Sequence, residues 1–197
     1  GKTTLLNILS GLARPDSGSI KVSGLKMASF GTHIRSLVGV VTHDTLLYND
    51  LTAYENLKFI SRMFQLDDTD DRIQMVAHDM GVGHSLHQKV WTLSHGLRKR
   101  FTICRALLHS PQILLLDEPE SGLDVESQIL LDSILNKHIE SNKSIILTTH
   151  NLERAVAVSD RIGILSSGKI VGQYTSDNGL DSQTLLDIYA QYNRPKP

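Results

Sequence analysis

Apolar residues fall along this chain in two rhythms, and the change from one to the other divides it. Residues 3–12 carry Leu5, Leu6, Ile8 and Leu9 at helical spacing, and Gly11 with Pro15-Asp16-Ser17-Gly18 breaks the run. Residues 19–22 and 37–41 are short strand-like runs, the second a compact Leu-Val-Gly-Val-Val. From 51 to 110 the character turns helical. Thr52-Ala53-Tyr54-Glu55 is a capping-box pattern and predicts a helix to about residue 64, with Leu57, Ile60 and Phe64 on its core face. Thr69 or Asp70 is placed to cap a second helix to about residue 80, and Ser94 a third to about residue 109.

After Pro111 strand and helix alternate. The aliphatic run 113–116 suits a parallel strand covered on both faces. A helix over 125–141, a strand over 144–148, a helix over 152–158 and a strand over 161–165 follow. Ser167-Gly168-Lys169 then turns into a strand over 170–174, and a helix over 182–189 precedes a frayed, proline-containing tail. The pattern predicts one α/β domain over 1–197 with an α-helical subdomain inserted at about 51–110.

Composition removes several classes. With 197 residues, 40% of them apolar, the chain can bury a full core as one domain. A net charge of −1 with mixed signs lacks the basic excess of a nucleic-acid surface, so no nucleic-acid partner is expected. Cys104 stands alone, which excludes an internal disulfide; on the third helix it reads as a buried structural thiol. No apolar run approaches the ~20 residues that span a bilayer.

Three phrases carry chemistry. Gly1-Lys2-Thr3-Thr4 matches the tail of a phosphate-binding loop, with an ammonium and hydroxyls for phosphates and their metal. Asp117 and Glu118 close an apolar strand, where open α/β sheets place their ligands. A plain acidic strand end before Pro119 is the competing reading; two adjacent carboxylates there repel unless a cation or substrate uses them. Ser94-His95-Gly96 opens a helix with a hydroxyl, free N–H groups and a positive dipole end, an arrangement that attracts anions.

With Thr148-Thr149-His150 and Ser121-Gly122-Leu123-Asp124, these phrases resemble, in order and interval, the ATP-binding subunits of ABC transporters. The resemblance covers nearly the whole chain and implies a P-loop NTPase core of the ABC ATPase type, with ATP and Mg²⁺ as cofactors. It assigns Gly1, Lys2, Thr3 and Thr4 to the phosphates, Thr3 and Asp117 to Mg²⁺, and Glu118 to general base. It makes His150 the switch histidine that bonds the γ-phosphate. Ser94 and Gly96 face the ATP of a second ATP-binding subunit, identical or not, and Asp124 joins the two sites. His43 stands where the family usually places a glutamine that meets Mg²⁺ and the attacking water; a neutral imidazole can accept from water or ligate a metal. His95 and Leu97 depart from the usual glycine and glutamine. The strand and glycine-rich residues that precede a P-loop lysine are not in the sequence, so an N-terminally truncated domain is expected. The other histidines, at 33, 78, 84, 87, 109 and 138, lack ligand spacing and read as solvated or satisfied.

About 90 residues separate Lys2 from Ser94, too few for the coiled coils of chromosome-maintenance relatives. The implied protein is a transport ATPase bound to a transmembrane permease at the cytoplasmic face of the membrane. The phrases at 42–48, 93–96 and 106–109 resemble the haem-exporter subunits of cytochrome c maturation. A multidrug or lipid export ATPase is the alternative, and a non-transport ABC ATPase a more distant one.

Overall fold

The computed structural model describes residues 1–175 and 180–193. The first third runs α1 (Lys2–Ser10), β1 (Lys21–Val22), β2 (Leu25–Lys26), α2 (Met27–Leu37) and β3 (Val38–Val41). Three helices follow, α3 (Ala53–Met63), α4 (Thr69–Asp79) and α5 (His95–Leu107). Then come β4 (Ile113–Asp117), α6 (Val125–Glu140), β5 (Ser144–Thr148), α7 (Leu152–Val158), β6 (Arg161–Ser166), β7 (Lys169–Thr175) and α8 (Ser182–Asn193). The tail expected to fray after residue 189 is instead helical to Asn193, and 194–197 lie outside the described residues.

Strands β3, β4 and β5 pair in parallel in that order, with β4 between its neighbours. Strand periodicity explains why its aliphatic run is continuous. Leu114 and Leu116 pack into a core with Leu57, Ile73, Phe101 and Leu131, whereas Leu115 points to a second core with Leu6, Ile34 and Val38. Helices thus cover both faces, and β4 delivers its terminal acids to one edge of the sheet. Close packing of α5 depends on Gly39 in β3, because a Cβ there would overlap the Ala106 carbonyl and crowd Pro111 and Leu114. Antiparallel β6 and β7 form a separate hairpin, and α7 and α8 pack there around Ala155, Ile164 and Leu185.

The capping box of α3 forms as expected: Thr52 Oγ1 accepts the Glu55 N–H at 3.1 Å, and Glu55 Oε2 accepts the Thr52 N–H at 2.7 Å. Helix α4 corrects the expected cap. Its N-cap is Asp68 in the left-handed region, without a side-chain bond. The Thr69 hydroxyl instead donates to the Leu66 carbonyl, and Asp70 is drawn away by the Tyr54 hydroxyl at 2.6 Å and Lys58 at 3.6 Å. Helix α2 is an addition. Its N-cap, Lys26, makes no capping bond and Gly31 interrupts its apolar pattern, so packing of Ile34, with Met27 and Leu37 beside it, is what marks it. The strand expected over 19–22 shrinks to Lys21–Val22, paired with β2.

Cys104 is fully buried, and its thiol lies 3.2 Å from the Val76 carbonyl. Burial pushes its pKa well above the usual thiol value. Among the described residues no helix is long and apolar enough to cross a membrane.

Candidate functional site

The parallel register sets Asp117 of β4 beside Thr148 of β5. Both are buried, and the Thr148 hydroxyl donates to Asp117 Oδ1 at 2.5 Å. The next residue leaves the strand: Glu118 has φ +44°, a left-handed conformation that costs a non-glycine residue about 1–2 kcal/mol. Its N–H bonds the Thr148 carbonyl at 3.1 Å and Oγ1 at 3.3 Å. This anchored kink separates the two neighbouring carboxylates, one held against β5 and the other turned outward.

Glu118 Oε1 meets His150 Nε2 at 2.7 Å, and the same nitrogen stands 3.5 Å from Lys2 Nζ. Lys2 opens α1, whose N-cap, Gly1, supplies no side-chain bond. An ammonium, a carboxylate and an imidazole therefore converge from α1, the residue after β4 and the loop after β5. Thr3, His43, His95, Lys99, Asp117, Glu118 and Ser121 line one cavity of about 140 Å³. Thr3 and His43 thus share a space with the acid pair, while Thr4 lies exposed on α1 outside it.

Ser94 and Asp124 do not line this cavity. Each caps a helix: Ser94 Oγ accepts the Leu97 N–H at 3.2 Å, and Asp124 Oδ1 accepts the Ser127 N–H at 2.9 Å. The Ser127 hydrogen bonds hold the Asp124 carboxyl below its usual pKa. Gly96 faces the chain itself, since a Cβ there would stand 3.3 Å from the Gly122 carbonyl.

Two residues with no assigned motif role enter the site. Lys99 is only 7% exposed; burial lowers its pKa, and the charges of Glu120, Asp117 and Glu118 oppose that shift. His95 packs its ring over Gly122. In sequence Lys99 lies within Arg98-Lys99-Arg100, a basic run of the kind that ordinarily lies on a solvated face. Its position one turn after the Ser94 cap was the available signal. A larger depression of about 400 Å³ lies at α3 and α4, lined by Lys58, Arg62 and Asp68 to Asp71. It contains none of the motif residues.

The donors fit a small hard cation. Thr3 and Asp117 present oxygens to the same cavity, and Asp117 keeps one carboxylate oxygen beyond its bond to Thr148. No group of three or more His, Cys, Asp or Glu side chains among the described residues could hold a metal. Mg²⁺ binds through one or two protein oxygens with phosphates and water, and Thr3 and Asp117 offer two such oxygens.

The family model described as ABC transporter matches residues 1–121. The chain belongs to the ABC transporter family, as an ATP-binding subunit. It is 34% identical to a Nod factor export ATP-binding protein I of Burkholderia orbicola (strain AU 1054), covering 100% of this chain and 65% of that protein. It is 32% identical to a linearmycin resistance ATP-binding protein of Bacillus subtilis (strain 168), covering 87% and 56%. The chain thus spans less than two thirds of the length of these curated relatives. A dimeric ATP-binding cassette in a post-hydrolysis state, bound to ADP and Pi, superposes with a TM-score of 0.82 at 25% identity, over 89% of this chain and 81% of that one. The ATP-binding subunit of another ABC transporter gives 0.88 at 25% identity, over 98% and 84%.

Proposed function

We propose that this chain binds and hydrolyses ATP as the motor subunit of an ABC exporter. The observation that carries the reading is the convergence of Lys2, Glu118 and His150 at the end of β4. In this reading Lys2 and the α1 N-terminus hold the phosphates. Thr3 and Asp117 hold Mg²⁺, which neutralises phosphate charge when bound. Glu118 takes the proton of the attacking water, and His150 fixes Glu118 and the γ-phosphate. His43, which lines the same cavity, orients water.

Ser94 and Gly96, at the start of α5, close on the ATP of a second subunit, and Asp124 carries each site's state to the other. The helical segment 51–110 acts as an inserted subdomain that moves toward the partner on closure and displaces a transmembrane permease. The domain works at the cytoplasmic face of the membrane. Export is favoured by the names of several relatives, Nod factor export and linearmycin resistance, although a relative of Pyrococcus abyssi is named for molybdate/tungstate import. Haem as cargo is the narrower reading and rests only on the phrases at 42–48, 93–96 and 106–109; uptake of haem by vesicles carrying the assembled transporter tests it.

The hydrolytic reading is tested by Glu118→Gln in the full-length protein. Turnover should fall at least ~100-fold, the usual minimum contribution of a general base, while ATP-driven dimerisation persists. Near-normal hydrolysis would remove Glu118 from the role.

A further inference from the structure

A carboxylate without an assigned role holds the first residue of the turn that carries His150 and faces a cation of the helix that follows. Thr149 and Asn151 flank the histidine. The Thr149 hydroxyl accepts the Asn151 N–H at 2.9 Å, closing a turn across His150, and donates to Glu120 Oε1. Asn151 caps α7 by accepting the Arg154 N–H at 3.0 Å. The Arg154 guanidinium lies on Asp132 at 2.6 and 3.4 Å and sends its Nε to 3.7 Å from Glu120 Oε2. Glu120 and Arg154 are nearly covered, their side chains 16% and 10% exposed.

His150 itself is 69% exposed in its side chain. A histidine so open on a loop has no packing to fix its ring, yet its Nε2 keeps hydrogen-bond distance to Glu118. The constraint therefore comes from the turn beside it. Glu118 and Glu120 stand either side of Pro119, one reaching the imidazole and the other the turn. Glu120 does not line the cavity that holds Asp117 and Glu118.

We propose that Glu120 is a positioning residue of the hydrolytic centre, holding His150 against Glu118 through its bond to Thr149, with the Arg154 charge beside its second oxygen. The inference rests on the hydrolytic reading of Glu118 and His150. Misplacement of about 1 Å in such a group can cost up to ~100-fold in rate without weakening substrate binding.

Steady-state ATP hydrolysis by the full-length protein tests it. Thr149→Val removes the hydroxyl at constant shape, Thr149→Ser keeps it, and Glu120→Gln keeps an acceptor but loses the charge facing Arg154. The expected result is about a tenfold loss of kcat in Thr149→Val with KM for ATP within about twofold, and recovery in Thr149→Ser. Glu120→Gln should fall between, and the double variant should be no slower than Thr149→Val, because both act on one contact. Wild-type kcat in Thr149→Val beside an inactive Glu118→Gln overturns the proposal alone. An equal loss in Thr149→Ser, or a loss carried by KM, also overturns it, since either marks general damage. Near-normal turnover in Glu118→Gln overturns the hydrolytic reading beneath it.

Discussion

The imidazole of His95 covers Gly122 so closely that a Cβ on Gly122 would stand 2.5 Å from His95 Nδ1. Gly122 also holds φ +78°, in the left-handed region. The start of α5 and the loop after the acid pair therefore fit together through a missing side chain. A histidine where relatives usually carry glycine is tolerated because its ring lies against a residue that has none.

Two separable costs follow for Gly122→Ala. The left-handed backbone penalises alanine by about 1–2 kcal/mol, and overpacking against the ring adds about 1–3 kcal/mol. His95→Gly removes only the second. Urea unfolding of the four proteins in a double-mutant cycle should show a smaller cost of Gly122→Ala in the His95→Gly background. Equal costs in both backgrounds would mean that the ring does not occupy that space.

Stability should also depend on His109. Its ring stacks on Phe64 at 4.1 Å and its Nε2 lies 3.2 Å from the Val38 carbonyl, while Nδ1 is buried without a partner. Burial pushes its pKa down to about 4, against the raising effect of the Val38 bond and with help from Arg105. Because the unfolded value is near ~6.5, the unfolded chain binds the proton first. Stability is therefore whole above pH ~6.5 and is lost as pH falls toward 4, by about 2 kcal/mol at pH 5. His138 shifts in the same direction, again by burial. Urea midpoints at pH 7.5 and 5 should differ more for the wild type than for His109→Gln. Parallel pH curves for the two proteins would contradict the assignment.

How much of this was legible follows from where the information sits in the chain. The alternation after Pro111 could be read because β4 is a continuous aliphatic run, the later strands are short apolar stretches between turn residues, and the helices have caps or breakers; α7 keeps its expected bounds. Lys2, Glu118 and His150 were legible as motif ends, and the fold brings them together. Helix α2 was not, because nothing caps it and packing alone sustains it. Nor were the contacts of Thr148, Thr149, Glu120 and Arg154, whose partners lie about thirty residues apart and meet only through the β4–β5 register. His109 read as an ordinary satisfied histidine; half of that held, since one ring nitrogen is bonded and the other is not.

That register supplies the remaining prediction. Thr148 serves two buried groups at once, donating to Asp117 Oδ1 at 2.5 Å and accepting the Glu118 N–H at 3.3 Å. Thr148→Val keeps the shape of the strand and removes both bonds, leaving a buried carboxylate without its hydroxyl donor. The cost should be about 1–3 kcal/mol, read as a lower urea midpoint with an unchanged slope. Thr148→Ser should recover most of it, because the hydroxyl returns. Asp117→Asn in the Thr148→Val background should cost less than in the wild type, since the carboxylate's favoured donor is already gone. A loss below about 0.5 kcal/mol in Thr148→Val would show that Asp117 draws its support from elsewhere, since that is the lower end for one hydrogen bond.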